Sequence, residues 1–114
     1  MDLSAERCEA CRSDSPLVSG AEQHELSAVL PDWEIVEVNA VPRLRRTFRL
    51  KDWMSAVRFA NQVADAAEAE DHHPTILIAW GKVTVTWWTH AIKGLHRNVF
   101  VMAAKSDHIF DSHQ

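Results

Sequence analysis

The chain has 114 residues and a mass of 12.9 kDa, the usual length of a single domain with its own hydrophobic core. Hydrophobic residues make up 46% and charged residues 25% of the sequence, which excludes a disordered chain, a collagen-like repeat and a disulfide scaffold. The formal net charge of -4 offers no positive field for nucleic acid, and no apolar run reaches the ~20 residues that a membrane span needs.

Residues 1–18 show no sustained periodicity, and we interpret them as a flexible leader that orders only against the body or a partner chain. The first residues lack the charged-then-apolar layout of a signal peptide, so we expect a cytoplasmic protein. Cys8 and Cys11 lie in this leader, where half a zinc site, a redox pair and two thiols are the alternatives. Too few ligands surround them for zinc, and no strand and helix flank them, so we expect reduced thiols.

Residues 19–114 form one predicted domain, which opens with a short helix. Ser19 and Glu22 have the spacing of a capping box, and Pro31 stops the helix that follows. An extended stretch begins at Trp33, and a turn at 39–42 leads into a strand over 43–50. The outward face of that strand carries Arg43, Arg45 and Arg49.

The second half of the predicted domain repeats this order with a longer helix. Asp52 is a plausible N-cap for a helix that ends near Glu70. Its predicted apolar stripe consists of Trp53, Val57, Ala60, Val63, Ala64 and Ala67. Two strands, 75–80 and 83–88, then form a hairpin around Gly81-Lys82, and a closing helix contains Phe100, Val101, Ala104 and Phe110.

The predicted element order is therefore α-β-β-α-β-β-α. Helices that alternate with pairs of adjacent strands favour segregation of the helices onto one side. We predict an α+β fold in which three helices pack on one face of a four-stranded antiparallel sheet.

Histidine is abundant, with seven in the chain, and four of them cluster in sequence at His72, His73, His90 and His96. Imidazole both gives and takes a proton near neutral pH. Pro74 holds His73 away from helical geometry, so the adjacent pair is pinned at a helix-to-strand corner. If strand 75–80 pairs with the strand that leads to His90, the corner and that strand end face one cleft. From composition alone, solvent-facing loop histidines are the alternative, and no spacing completes a metal site.

The chain carries a motif that spans this corner and the hairpin after it. Glu68-Ala69-Glu70-Asp71-His72-His73-Pro74 is followed by Trp80, by Gly81 to His90 and by Ile92-Lys93-Gly94-Leu95. This pattern resembles the signature of the pterin-4a-carbinolamine dehydratase family. The resemblance extends over residues ~20 to 112 in element order.

The resemblance implies a hydro-lyase that works without a cofactor or metal. Members of this family remove water from 4a-hydroxytetrahydrobiopterin and release quinonoid dihydropterin. The substrate arises in aromatic amino-acid hydroxylases, so the resemblance also implies tetrahydrobiopterin recycling coupled to phenylalanine hydroxylase. It further implies a homodimer or homotetramer.

The resemblance assigns catalysis to His72, His73 and His90, and substrate binding to Glu68, Asp71, Pro74 and Trp80. Within that set, His72 and His90 match the acid/base pair, and His73 matches the residue that holds and orients the pterin. Glu68 and Asp71 are suited to fix tautomers or to accept pterin N–H groups. For Trp80, packing and substrate contact are both open.

Val99 departs from the family pattern, which ends with Asp nine residues beyond the second catalytic histidine. A carboxylate there can orient a histidine, so its loss predicts weaker dehydration than in relatives that keep it. The competing hypothesis is that residue 99 turns inward and packs. Alternative functions are a low-activity pterin-binding or protein-binding regulator, similar to transcriptional cofactors, and a metal-dependent hydrolase.

Overall fold

The computed structural model describes residues 2–8, 17–89 and 95–113. Its elements are α1 (Gly20–Ala28), β1 (Glu34–Val38), β2 (Val41–Arg49), α2 (Trp53–Ala69), β3 (Thr75–Ala79), β4 (Lys82–Trp87) and α3 (Arg97–Asp111), after a short 3-10 turn at Leu3–Ala5. The strands form an antiparallel sheet in the order β1-β2-β4-β3. The predicted α+β fold and its element order are confirmed.

Both predicted helix caps form through side-chain oxygens. Ser19 Oγ accepts a hydrogen bond from the Glu22 N–H at 3.1 Å and starts α1. Asp52 Oδ1 accepts from the Ser55 N–H at 2.8 Å and starts α2. These bonds satisfy amide donors that the first helical turn leaves without a partner in the helix.

The buried face of α2 differs from the predicted stripe. Its buried residues are Ser55, Ala56, Phe59, Ala60, Val63 and Ala67. Phe59 decides the rotation of the helix, because its ring packs against Phe48 and Phe110 at centroid distances of 4.7 and 5.8 Å. Trp53 and Ala64 consequently lie on the exposed side, and placing them in the core stripe was wrong.

The first hairpin turn is shorter than predicted. Asn39 and Ala40 both have positive φ, at 52° and 63°, and form a two-residue turn. Pro42 is already part of β2, opposite Glu37, so the predicted turn at 39–42 was two residues too long. Pro42 is tolerated there because the pairing of β2 with β4 begins only at Leu44.

The second hairpin turn lies one residue earlier than predicted. Ala79 pairs with Lys82, which leaves Trp80 and Gly81 as the turn. Gly81 has φ of 72°, and a Cβ there would lie 3.3 Å from the Leu50 carbonyl oxygen. Glycine is therefore favoured at the second turn position, where φ is positive.

The sheet buries one face against α2 and α3. On β4, Val83, Val85 and Trp87 are fully buried, whereas Thr84 and Thr86 lie on the opposite face, as the two-residue period of a strand requires. The Trp87 indole N–H donates to Ser106 Oγ on α3 at 3.1 Å. β4 is thereby fixed to α3.

Part of the predicted leader packs on the domain. Leu3 is buried in the core, and Cys8 is partly buried against it. Cys11 and the rest of 9–16 lie outside the described residues, and the flexibility of the leader stays a prediction. Within the described ranges, no helix is long and apolar enough to cross a membrane.

Candidate active site

The end of α2 forms a corner that presents two adjacent histidines. Asp71 has φ of 50°, in the left-handed region, where its N–H donates to the Glu68 carbonyl at 3.2 Å. The His72 N–H reaches back to the Ala67 carbonyl at 3.0 Å. These two bonds are those of a Schellman motif, which ends the helix and turns the chain sharply. His72 and His73 therefore leave the helix in extended backbone ahead of β3.

His72 is buried against the end of β4. Its Nε2 lies 2.8 Å from the Trp88 carbonyl oxygen, and its ring lies 5.4 Å from the Trp87 ring. A carbonyl oxygen accepts but never donates, so Nε2 carries the proton. In the neutral imidazole the lone pair is then on Nδ1, which is itself buried.

His73, unlike His72, is largely exposed. Its Nε2 is 2.8 Å from Glu68 Oε1, and both side chains are more than half exposed. The carboxylate accepts the Nε2–H hydrogen bond and so holds the ring in one orientation. The corner thus supplies one buried and one accessible imidazole, which are oriented by different partners.

The remaining predicted site residues do not all lie at the histidine corner. Asp71 is exposed and defines the corner through its backbone, and Pro74 is partly buried at the start of β3. Trp80 is 71% exposed at the opposite end of β3, roughly 20 Å along the strand from Pro74. The structure therefore does not bring Trp80 to the histidine corner of the same chain.

His90 lies outside the described residues. The chain that leads to it does reach the corner, because β3 and β4 pair with Thr75 opposite Thr86. The Trp88 carbonyl that binds His72 is two positions before His90. The predicted pairing of these two strands, on which a shared cleft depends, is thus present.

Val99 is fully buried near the start of α3. His96 is the N-cap of that helix, and its Nδ1 accepts the Asn98 N–H at 3.1 Å. Counting from this cap, residue 99 is the third helical position, where an acid completes a capping box. The structure favours packing as the role of Val99.

Sequence reasoning missed the structural roles of two polar residues, His96 and Glu70. His96 gave no signal as a cap, because Ser, Thr, Asp and Asn are the residues preferred there. Glu70 binds Cys8, 62 positions away in the chain, a pairing that no local pattern predicts. Among the described residues, no group of three or more His, Cys, Asp and Glu side chains could hold a metal ion.

Comparison with known proteins identifies the family. The family model described as pterin 4 alpha carbinolamine dehydratase matches residues 16–109. The chain belongs to this family. A relative from Gloeobacter violaceus, provisionally named pterin-4-alpha-carbinolamine dehydratase 1, is 56% identical over 109 residues, which cover 96% of this chain and 94% of the relative.

A solved member of the pterin dehydratases has the same fold. The crystal structure of a transcriptional coactivator/pterin dehydratase from Brucella melitensis superimposes with a TM-score of 0.73 at 32% identity. The match covers 82% of this chain and 98% of that one. The resemblance seen in the His-His-Pro corner and the β3–β4 hairpin is confirmed at the level of the family.

Proposed function

We propose that the protein dehydrates 4a-hydroxytetrahydrobiopterin to quinonoid dihydropterin and water by histidine acid/base catalysis. Family membership supports the reaction class. The observation that carries the mechanism is the 2.8 Å contact between His72 Nε2 and the Trp88 carbonyl. It fixes one imidazole beside the strand end that leads to the second one, His90.

The reaction requires two proton transfers and no oxidant. The C4a hydroxyl accepts a proton and leaves as water, while the neighbouring ring nitrogen loses its proton and forms a double bond to C4a. One acid and one base of near-neutral pKa therefore complete the reaction. We assign these roles to His72 and His90.

We assign pterin binding to His73 and the acidic residues around it. His73 is the accessible imidazole of the corner, and Glu68 orients it. Asp71 is exposed beside them and offers acceptor oxygens for the pterin amino and ring N–H groups. Loss of His73 should therefore raise KM at least as much as it lowers kcat.

We also propose that the protein is a cytoplasmic homodimer or homotetramer that recycles pterin for phenylalanine hydroxylase. β1 and β3 are the outer strands of the described sheet, and Leu77 on β3 is 63% exposed. Outer strands with exposed apolar side chains favour cover by another chain. Sedimentation at micromolar protein concentration that finds monomer alone would contradict this assembly.

A second candidate function is regulatory protein binding. The Brucella melitensis relative is titled both a transcriptional coactivator and a pterin dehydratase, which supports this candidate. Turnover separates the two functions, because a regulator does not need to dehydrate the carbinolamine.

The test is a dehydration assay in which phenylalanine hydroxylase generates the carbinolamine in place. We expect His72→Ala and His90→Ala each to lose about 10²- to 10⁴-fold in rate while remaining folded. His24→Ala, at an exposed position on α1, is the matched control and should retain full activity. Wild-type turnover no faster than the spontaneous reaction, or full activity in both the His72 and His90 variants, would overturn the proposal.

A further inference from the structure

Residues 2–8, here called the N-terminal strap, are fastened along α3. Leu3 is 3% exposed in the core, and Lys105 Nζ donates to the Ser4 carbonyl at 2.8 Å. Arg97 binds both oxygens of Glu6 through Nε and one terminal nitrogen, at 2.9 and 2.8 Å. A bidentate guanidinium–carboxylate pair fixes direction as well as distance. The strap therefore has a defined path across the domain.

The far end of the strap binds Glu70, the C-cap residue that follows α2. Glu70 Oε1 accepts the Cys8 N–H at 2.7 Å, and Oε2 accepts Arg7 Nε at 2.7 Å. The Glu70 side chain is only 6% exposed. The backbone hydrogen bond from Cys8, aided by Arg7, lowers the pKa of Glu70 below its ordinary value, so the carboxylate is charged at neutral pH.

Glu70 is two residues before His72. It is the C-cap of α2, and its own N–H donates to the Ala66 carbonyl at 3.2 Å. The Schellman bonds of Asp71 and His72 then fix the backbone that connects Glu70 to the imidazole. Glu70 is therefore connected to His72 by a short segment whose backbone N–H groups all donate hydrogen bonds to α2.

We propose that Glu70 is a positioning residue, through which the strap holds His72 within hydrogen-bond distance of the Trp88 carbonyl. For its effect on rate this inference rests on the function proposed above. The Cys8 N–H bond is the important one, because the Arg7 side chain is 79% exposed and an exposed ion pair contributes little. The two contacts can thus be separated by mutation.

The experiment compares Glu70→Ala with Arg7→Ala and with Asp65→Ala, an exposed acid on the same helix. Each variant is examined by steady-state kinetics and by NMR of the His72 Nε2–H signal, which is recorded without substrate. We expect Glu70→Ala to lower kcat about 10- to 100-fold with little change in KM, since a small misplacement of a catalytic group has this effect. We also expect it to shift or broaden the Nε2–H signal. Arg7→Ala and Asp65→Ala should resemble the wild type.

Glu70→Gln is the second variant, which keeps the test decisive if Glu70→Ala does not fold. Its amide oxygen can still accept the Cys8 N–H, so this variant should keep most of the activity and the His72 signal. A Glu70→Ala protein that is folded, active and unchanged in the His72 signal would overturn the positioning role while the proposed function stands. If Glu70→Ala does not fold, a Glu70→Gln protein as impaired as His72→Ala would overturn it.

The NMR readout also distinguishes the positioning role of Glu70 from the proposed function when the wild-type protein is inactive. A wild-type protein without dehydratase activity defeats the proposed function. A His72 signal that still depends on Glu70 supports the positioning role even then, and one that does not depend on Glu70 defeats the positioning role as well.

Discussion

Replacing Val99 by Asp restores the residue that the family pattern places there, and the structure predicts that the change is harmful. Val99 has no exposed surface, and it occupies the third position of α3 after the His96 cap. An aspartate would replace a packed isopropyl group by a carboxylate in the same enclosed space. Stability and turnover should therefore respond differently to this substitution.

The size of the effect follows from three contributions. Losing the buried isopropyl group costs ~1.5 to 3 kcal/mol. Desolvation of the carboxylate adds a penalty of several kcal/mol before relaxation. A negative charge in the first helical turn stabilises the helix by ~0.3 to 1 kcal/mol, and a hydrogen bond from the His96 N–H to the carboxylate contributes ~1 kcal/mol more. We expect a net loss of roughly 3 kcal/mol or more in unfolding free energy, which lowers Tm by at least about 12 °C.

Thermal unfolding by circular dichroism measures the loss, and turnover is measured well below the lowered Tm. Val99→Thr, which keeps the branched shape, and Val99→Ala, which leaves a cavity, serve as controls and should lie between Val99→Asp and the wild type in Tm. We expect turnover per folded molecule to be unchanged in all three variants. A Val99→Asp protein with wild-type Tm and faster dehydration would refute this reasoning and restore the catalytic interpretation of the family carboxylate.

Three further predictions concern the corner and the turns. Asp71→Gly should raise the unfolding free energy and Asp71→Ala should lower it, each by ~1 kcal/mol or less, because φ at this position is 50°; equal urea midpoints would contradict this. Glu70→Gln should have a lower unfolding free energy than the wild type at pH 7. This difference in unfolding free energy should shrink as the pH falls below 4.5, because Glu70 has a lowered pKa in the folded state. Urea titrations that give the same difference at pH 7 and pH 3 would exclude this. Gly81→Ala should cost ~1 kcal/mol in thermal unfolding through its positive φ, and an unchanged Tm would show that the turn adapts.

The elements that depend on neighbouring residues were predictable from the sequence. The caps at Ser19 and Asp52 each need one oxygen a fixed distance from an amide, and both form. The alternation of β4 follows from strand geometry alone. The His-His-Pro corner was recognisable because Pro74 restricts the residue before it.

The features that depend on distant contacts were not predictable. The rotation of α2 is set by Phe59 against Phe48 and Phe110, a choice between two apolar stripes that differ little in sequence. The interaction of Glu70 with Cys8 joins residues that are 62 positions apart in the chain. The inward direction of Val99 depends on where α3 begins, and a histidine cap gives no clear signal of that start.

The central claim is that an imidazole fixed at the helix-to-strand corner dehydrates the carbinolamine. Its most direct test is the decay of 4a-hydroxytetrahydrobiopterin, followed by stopped flow with equal concentrations of wild type, His72→Ala and the His24→Ala control. We predict decay far faster than the spontaneous reaction for wild type and control, and a loss of at least about 10²-fold in the catalysed rate for His72→Ala. Equal catalysed rates for wild type and His72→Ala would contradict the account.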